Sequence, residues 1–414
     1  MHHALTALPL LVAAAFASTP SDAATLGYLG QQVLPTATQF LGTQVGGLSG
    51  LDFNPVTGGY VAISDDRSTI NPARYYDLSL DVSRFARSNN PGSAGVQLTH
   101  VTTLLAPDGN AFPSNGVDPE SIRLRQTPSG GTSLLWTSEG LRSGATFQAP
   151  TLREATTAGV HLRDFAVPSY FLPTGSAAGN QPGDSGIRNN LAFESLTLSL
   201  DGTRAYIATE NALVQDGPRT TLTGGSPSRV AEFSIANGQR TAEFVYRAEP
   251  ITNAPVAPGV SADSGLVELL AIGDRQFIAL ERSFAEGVGF TSRLFLADAR
   301  GATDVAGHAS IGDVADLQTM SKSLLLDLSS LRNDDGSPLA QDNIEGITFG
   351  PMVDGKRTLI LVSDNNFNNA EFTQFVALSV DGELTSPVPE PQTAALWALG
   401  LGLIAVARKS TRRA

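Results

Sequence analysis

The chain of 414 residues contains no cysteine, which excludes disulfide bonds, thiol nucleophiles and cysteine-ligated zinc. Lysine is also scarce, because only Lys322, Lys356 and Lys409 occur. The formal net charge of −13 at pH 7 argues against nucleic acid or an anionic membrane surface as the main partner. What is abundant is glycine (41) and proline (24), which favour many turns between short strands over long helices. The composition therefore predicts a large all-β domain. Its acidic charge fits either cation binding or the simple solubility of an exported protein.

The N-terminus has the features of a targeting segment rather than of a folded element. Residues 4–17 form an apolar run, and Ser21-Asp22-Ala23 offers small residues where a signal peptidase cuts. His2 and His3 stand where lysine or arginine is usual in such segments. The pattern predicts a signal peptide over residues 1–23 that is cut near Ala23.

The C-terminus, residues 386–414, combines three parts in a fixed order. Val388-Pro389-Glu390-Pro391 precedes an apolar stretch at residues 393–407, and a basic cluster follows. As a helix the stretch would reach roughly 22 Å, short of a typical hydrocarbon core, and the basic tail would stay cytoplasmic. This order resembles the PEP-CTERM sorting signal of Gram-negative bacteria. The resemblance implies an exosortase as partner, transient contact of the apolar helix with the inner membrane, and delivery to the cell surface or the extracellular space. A plain membrane anchor is the alternative.

A strand–turn–strand phrase returns five times along the chain. Its middle positions are residues 50, 121, 195, 269 and 346, separated by 71, 74, 74 and 77 residues. A period of this length suits one propeller blade with insertions. The sequence thus predicts a β-propeller of five to six four-stranded blades over residues 24–385. Each copy ends on a carboxylate: Asp65, Glu139, Glu210, Glu281 and Asp364.

The two ends of the predicted propeller suggest how it closes. The fifth unit lacks a fourth strand, whereas residues 26–34 form a lone strand at the other end of the domain. Pairing this N-terminal strand into the last blade would remove both exposed edges. Residues 301–343 could hold a sixth blade, or only a loop with a short helix around residues 314–331.

Several phrases together resemble one known family, the bacterial phytase-like domain family, described as esterase-like activity of phytase. The resemblance extends from about Leu41 to Val380. It implies a β-propeller and metal-dependent hydrolysis of phosphate or carboxylate esters. The β-propeller phytases bind several calcium ions and handle phytate with lysine and arginine, so the scarcity of lysine argues against phytate itself as the substrate. The phrases that carry the resemblance are Gly46-Gly47-Leu48-Ser49-Gly50-Leu51-Asp52, Ser64-Asp65-Asp66-Arg67, Pro72-Ala73-Arg74-Tyr75-Tyr76, Asp118-Pro119-Glu120-Ser121-Ile122, Trp136-Thr137-Ser138-Glu139-Gly140, Phe193-Glu194-Ser195-Leu196, Asn343-Ile344-Glu345-Gly346-Ile347 and Val362-Ser363-Asp364-Asn365-Asn366-Phe367.

Equivalent positions in successive blades lie at equivalent radii, so the recurring acids predict a central site. The five acids that end the copies are predicted metal ligands, and their oxygen atoms favour Ca²⁺ over transition metals. Glu120, Glu194 and Glu345 open innermost strands and are predicted to be catalytic together with Arg74. Recurrent arginines could bind a phosphate bidentately beside the metal. The predicted substrate-binding arginines are Arg67, Arg229, Arg282 and Arg293.

These patterns lead to two functional hypotheses. The first is an exported hydrolase that cleaves a small-molecule phosphate ester or related ester, including a lactone, with the help of Ca²⁺. The second is a non-catalytic propeller that binds a component of the cell surface or matrix, in which the arginines only tie neighbouring blades together. Nucleophilic serine catalysis has little basis, because Gly183-Asp184-Ser185-Gly186 lies in a loop without a suitable histidine pattern.

Overall fold

The structure is a computed structural model that describes residues 24–384 and contains 24 strands and five short 3-10 turns in that range. The predicted signal peptide and the apolar C-terminal stretch lie outside the described residues. The strands are β1 (Thr25–Leu34), β2 (Gln39–Phe40), β3 (Thr43–Gln44), β4 (Leu48–Asn54), β5 (Gly59–Ser64), β6 (Arg74–Leu80), β7 (Val96–Thr103), β8 (Pro119–Gln126), β9 (Thr132–Ser138), β10 (Leu141–Ser143), β11 (Thr146–Gln148), β12 (Thr151–Thr156), β13 (His161–Asp164), β14 (Phe193–Leu198), β15 (Arg204–Thr209), β16 (Ser226–Ser234), β17 (Arg240–Ala248), β18 (Ala262–Gly273), β19 (Gln276–Ala285), β20 (Gly289–Asp298), β21 (Ser321–Asp327), β22 (Asn343–Val353), β23 (Lys356–Asp364) and β24 (Thr373–Asp381).

Twenty of these strands form five four-stranded antiparallel sheets, which are the blades of a propeller. Blade 1 is β4-β5-β6-β7, blade 2 is β8-β9-β12-β13, blade 3 is β14-β15-β16-β17, and blade 4 is β18-β19-β20-β21. Blade 5 is β22-β23-β24-β1. The hairpins β2-β3 and β10-β11 are small additions outside the blades. The predicted all-β propeller is confirmed, with five blades.

The N-terminal strand closes the ring as predicted. β1 pairs antiparallel with β24, with Leu26 opposite Val380 and Leu34 opposite Thr373. The segment of residues 301–343 contributes β21, which is the fourth strand of blade 4, together with two 3-10 turns at Ile311–Asp313 and Leu328–Ser330. A sixth blade is therefore absent from the described chain, and the helix expected around residues 314–331 is replaced by this strand and turn.

Apolar side chains pack between neighbouring blades rather than in one central core. One cluster joins Leu51 and Tyr76 of blade 1 to Val362 and Phe375 of blade 5, all of them fully buried. Each sheet thus buries both faces against its neighbours, and the hydrophobic burial holds the ring together.

The pairing of the first two strands defines how the blades correspond. In blade 1 the register shifts by a bulge after Leu48, which lies opposite Ser64. In blade 4 the same bulge follows Leu266, which lies opposite Glu281. The fourth copy is thus shifted by one residue from the sequence alignment, because Glu281 corresponds to Ser64 and Arg282 corresponds to Asp65. A one-residue offset matters, since neighbouring side chains of a strand point to opposite faces.

An ion pair plugs the propeller axis. The guanidinium of Arg123 lies 2.9 Å from Glu268, and both side chains are almost fully buried. Arg123 also donates hydrogen bonds to the carbonyl oxygens of Leu51, Leu269 and Ile347, which belong to the innermost strands of blades 1, 4 and 5. Glu268 accepts a hydrogen bond from the backbone N–H of Leu196 in blade 3. These contacts join the innermost strands of all five blades, since Arg123 itself lies on β8 of blade 2.

Candidate functional site

A cavity of about 490 Å³ opens on the face where the innermost strands begin and the second strands end. Most of its lining is polar, and carboxylates outnumber the guanidinium groups of Arg67 and Arg282. The lining residues are Asp65, Arg67, Thr69, Ile70, Glu120, Asn190, Glu194, Ser261, Asp263, Arg282, Phe284, Phe290, Asn343, Glu345, Asp364, Asn366, Phe367 and Glu371.

Two repeated positions of the blades deliver the carboxylates to this cavity. Glu120, Glu194 and Glu345 occupy the bulge of the innermost strand in blades 2, 3 and 5, where the extra residue turns the side chain towards the axis. The C-terminal end of the second strand supplies the other set, at one equivalent position in each blade. That set consists of Asp65, Glu139, Glu210 and Asp364, with Arg282 at the equivalent position of blade 4. Asp65, Asp364 and Arg282 line the cavity itself, whereas Glu139 and Glu210 are buried and do not.

Two triads, formed by these carboxylates together with Asp118, have the spacing of a metal site. Ligand oxygens of Asp65, Asp118 and Glu120 all lie within 4.8 Å of one another, as do those of Glu120, Glu139 and Glu194. Glu120 belongs to both triads. The two groups are therefore contiguous and could hold one or two cations.

Burial and mutual repulsion disfavour ionisation of these acids. Desolvation, followed by the charges of neighbouring carboxylates, raises the pKa of Asp65, Glu120 and Glu194 well above the usual range. Desolvation also raises the pKa of Glu139 well above its usual value, although a hydrogen bond from the Ala192 N–H opposes the shift. A cation in their midst would reverse this effect, because an opposite charge favours the ionised form.

The donor set fits a hard divalent cation. Asp65 Oδ1 and Asp118 Oδ2 are buried and receive no hydrogen bond from an N–H or hydroxyl donor, and Glu210 Oε1 has only the Arg282 guanidinium at 3.5 Å. Within residues 24–384 no hydrogen bond reaches the carboxylates of Glu120 and Glu194 either. Buried polar atoms are normally paired, so their clustering here is the property expected of ligand atoms. Ligands that are all oxygen suit Ca²⁺ or Mg²⁺.

Arg282 supplies a positive charge at the wall of the cavity. Arg282 contacts Asp263 at 2.8 Å, Glu345 at 3.1 Å and Glu210 at 3.5 Å. These three carboxylates fix the guanidinium at the wall of the cavity, and its Nε–H is buried without a partner. Desolvation lowers the pKa of Arg282, but the surrounding carboxylates, Glu210 first, outweigh it and raise the pKa well above its usual value. Arg282 is therefore a permanent positive charge at the cavity wall.

Arg67 is the second cation of the cavity and is more accessible. Its Nε donates to Asp118 at 2.7 Å, and its Nη2 donates to Asn190 at 2.7 Å. The side chain is 31% exposed. Arg282 is only 9% exposed, so Arg67 is the better placed of the two arginines for an anion that enters from solvent.

Glu281 and Arg293 do not belong to this site. Glu281 accepts hydrogen bonds from Tyr246 at 2.7 Å and Lys322 at 2.6 Å, between blades 3 and 4. Arg293 lies opposite Glu281 on β20, and the two side chains are 3.8 Å apart. The expected metal ligand Glu281 and substrate ligand Arg293 thus form a structural ion-pair group, because the register of blade 4 turns Arg282 to the cavity instead.

Arg74 and Arg229 are equivalent residues on the third strands of blades 1 and 3, and neither lines the cavity. Arg74 contacts Asp66 at 2.7 Å and donates to Tyr76 and to the Gln44 carbonyl. Arg229 is fully buried between Asp216 and Glu243. Their donors are occupied within the protein, so the roles predicted for Arg74 in catalysis and for Arg229 in substrate binding do not agree with their positions. Both match the structural alternative.

Some residues of the site carry no repeat signal and were missed. Asp118 comes directly before β8, and its position two residues before Glu120 was the only available hint. Asp263 and the aromatic pair Phe284 and Phe290, whose ring centroids are 4.9 Å apart, lie in blade 4 only. Residues that occur in one blade cannot be found from periodicity.

Phe367 forms a rigid part of the cavity rim. Its φ of 50° lies in the left-handed region, which is unfavourable for a bulky residue. The backbone N–H of Phe367 and that of Gly47 both donate to Asn365 Oδ1, at 3.1 and 3.0 Å. A Cβ at Gly47 would meet the Phe367 ring at 2.8 Å, so glycine is required there. Strain of this kind is typical of functional sites.

Comparison with known families agrees with this architecture. The profile of the phytase-like family, described as esterase-like activity of phytase, matches residues 43–367. The chain belongs to this family. The phytase-like match covers blades 1 to 4 and the strands β22 and β23 of blade 5, and it includes every carboxylate of the two triads.

A second profile, the PEP-CTERM protein-sorting motif, matches residues 387–413. It indicates an exported protein that is sorted by an exosortase in Gram-negative bacteria. Within residues 24–384, no helix has the length and apolar character needed to span a membrane.

Solved structures also match the chain, at low identity. A structure of the Dos1 propeller matches 80% of this phytase-like chain and 66% of its own, with 8% identity and a TM-score of 0.33. The endo-arabinase from Bacteroides thetaiotaomicron VPI-5482 matches over 84% of this chain and 96% of its own, with 10% identity and a TM-score of 0.43. This chain thus spans just under two thirds of the Dos1 chain. A search of curated proteins found no match.

Proposed function

We propose that this exported phytase-like protein is a metal-assisted hydrolase of phosphate esters or related esters. The observation that carries the proposal is the pair of carboxylate triads that share Glu120. Their members Asp65, Glu120 and Glu194 line one cavity together with Arg67 and Arg282. In a purely structural acid cluster the buried oxygens are paired with donors, whereas Asp65 Oδ1 and Asp118 Oδ2 are buried and no donor reaches them.

The two carboxylate triads are the metal-binding part of the proposed active site. The triads of Asp65, Asp118 and Glu120 and of Glu120, Glu139 and Glu194 would hold Ca²⁺ through oxygen ligands. A bound cation supplies charge stabilisation at the reacting oxygen and lowers the pKa of a coordinated water.

Arg67 and Arg282, which line the same cavity, bind and orient the anionic oxygens of the substrate. Glu210 and Glu345 act through Arg282, because their carboxylates hold its guanidinium in place.

Asp364 is assigned the proton transfer to the leaving group. It lines the cavity but belongs to neither triad, and desolvation raises the pKa of its carboxyl well above the usual range. A carboxyl that keeps its proton near neutral pH suits a general acid that protonates the departing oxygen.

The test is turnover of a panel of phosphomonoesters and short-chain carboxylic esters, measured with Ca²⁺ and with a chelator. We expect hydrolysis of at least one class that requires Ca²⁺, and a loss of about 100-fold or more in kcat for Glu194→Gln. Glu249→Gln is the matched control, because Glu249 lies outside the cavity and pairs with Lys322. Absence of turnover on every ester with every divalent cation would reject the hydrolase and leave the binding module.

A further inference from the structure

A second, apolar cavity of about 770 Å³ adjoins the carboxylate cavity on the same face of the propeller. It lies between residues 219–222, which precede β16, and residues 251–262, which lead into β18. Leu222, Ile251, Val256 and Val260 are among its walls. Leu222 is 50% exposed and Val256 69% exposed, which is unusual for side chains of this size in one small area.

The two cavities meet at the start of blade 4. Ser261 lines both the carboxylate cavity and the apolar cavity, which is called the groove below. Ala262, which lines the groove, is followed by Asp263, which lines the carboxylate cavity. The tight turn between β19 and β20 forms part of this boundary. The Glu286 carbonyl accepts from the Val256 N–H at 3.1 Å, and the Ser261 carbonyl accepts from the Glu286 N–H at 2.9 Å. Backbone hydrogen bonds thus hold the apolar loop against the wall of the site.

Further apolar surface marks the passage between the cavities. Val288, at the tip of the β19-β20 turn, is 53% exposed. The paired rings of Phe284 and Phe290 at the base of this turn face the carboxylate cavity. An apolar path therefore runs from the groove to the carboxylates.

One charge in the groove favours an anionic occupant. Arg219 lines the groove, and within residues 24–384 it has no ion pair or hydrogen-bond partner. It is also close enough to Glu210 for their charges to interact. An unpaired guanidinium near the junction suits a molecule whose apolar part ends in an anionic group.

We propose that the groove binds the apolar chain of the substrate, so that the substrates of this protein are amphiphilic esters whose polar end is cleaved in the carboxylate cavity. This inference rests on the proposed function and specifies its substrate class. The apolar chain lies against Leu222 and Val256, and the ester group lies beyond Ser261. Burial of the chain contributes binding energy that a short ester cannot provide.

The test is calorimetric binding of non-hydrolysable alkylphosphonates, from methyl to octyl, to the protein in excess Ca²⁺. The affinity should rise with chain length by up to about fourfold for each buried methylene. A Leu222→Ser/Val256→Ser double variant should bind methylphosphonate like wild type but lose most of the increase along the series. Val56→Ser is the matched control, because Val56 is 81% exposed in the β4-β5 turn on the opposite face.

The outcomes separate the two claims. Equal affinity for methylphosphonate and octylphosphonate, or an undiminished increase in the double variant, overturns the groove as a chain-binding site. Failure of methylphosphonate to bind while octylphosphonate binds in a groove-dependent way counts against the carboxylate cavity, and so against the proposed function. A loss of the increase in Val56→Ser as well would show a non-specific effect and also overturn the inference.

Discussion

Replacement of Glu268 by glutamine tests the axial plug that joins the five blades. Desolvation raises the pKa of Glu268 to about 7, although Arg123 and several hydrogen bonds oppose the shift. The ordinary value is 4.5, so the difference of about 2.5 units corresponds to about 3 kcal/mol. Because the native state holds this proton more tightly than the unfolded chain, stability falls as pH rises from 4.5 to about 7. Glutamine has no proton to lose and removes this dependence.

The assay is urea denaturation of wild type and Glu268→Gln, in chelator, at several pH values. The difference in unfolding free energy should move by about 3 kcal/mol in favour of the variant between pH 4.5 and 7.5. The amide next to Arg123 adds a cost that does not depend on pH, so the change with pH carries the test. A difference that is constant, or that moves in favour of wild type as pH rises, would refute the reasoning. Either result would mean that the attraction of Arg123 and the hydrogen bonds equal or exceed the desolvation of the carboxylate.

Three further predictions concern the site and its surroundings. Desolvation raises the pKa of Glu210 to about 8, so the metal-free protein should lose stability as the pH rises from about 4.5 to 8. Thermal unfolding measured across this pH range with saturating Ca²⁺ should show a much weaker decline in stability. Asp364→Asn should lower kcat at least tenfold more for alkyl than for p-nitrophenyl esters, since a good leaving group needs no acid; equal losses would contradict its role. Arg142→Met should expose residues 174–187 to limited proteolysis, because Arg142 donates to four carbonyls of that loop, and an unchanged cleavage rate would count against this anchor.

The fold could be predicted because every blade of a propeller buries its apolar side chains in the same way, so that the sequence pattern repeats once per blade. The five repeats of one strand–turn–strand phrase predicted the five blades. The last repeat lacks a fourth strand, and the lone N-terminal strand, which is β1, predicted how the ring closes. The count stayed open only because the long connection before β21 (Ser321–Asp327) separates the last strand of blade 4 from its blade. Strands that are far apart in the sequence, such as β20 and β21, can still be direct neighbours in a sheet, about 4.7–4.9 Å apart.

The site was predictable only where the period is kept. Glu120, Glu194 and Asp364 follow the repeat and line one cavity, as expected. The fourth copy has glutamates at both shifted positions, so Glu268 and Glu281 imitate the repeat while the bulge after Leu266 sets a different register. Bulges are not visible in a sequence pattern, and one extra residue exchanges the two faces of a strand.

The central claim is that carboxylates from successive blades meet around one divalent cation near the axis. The most direct measurement is a crystal structure of the protein grown with Ca²⁺, with anomalous scattering used to locate the ion. The account predicts a peak within about 2.3–2.6 Å of a Glu120 carboxylate oxygen. Calcium found only in surface loops, with the triads of Glu120 filled by water alone, would contradict it.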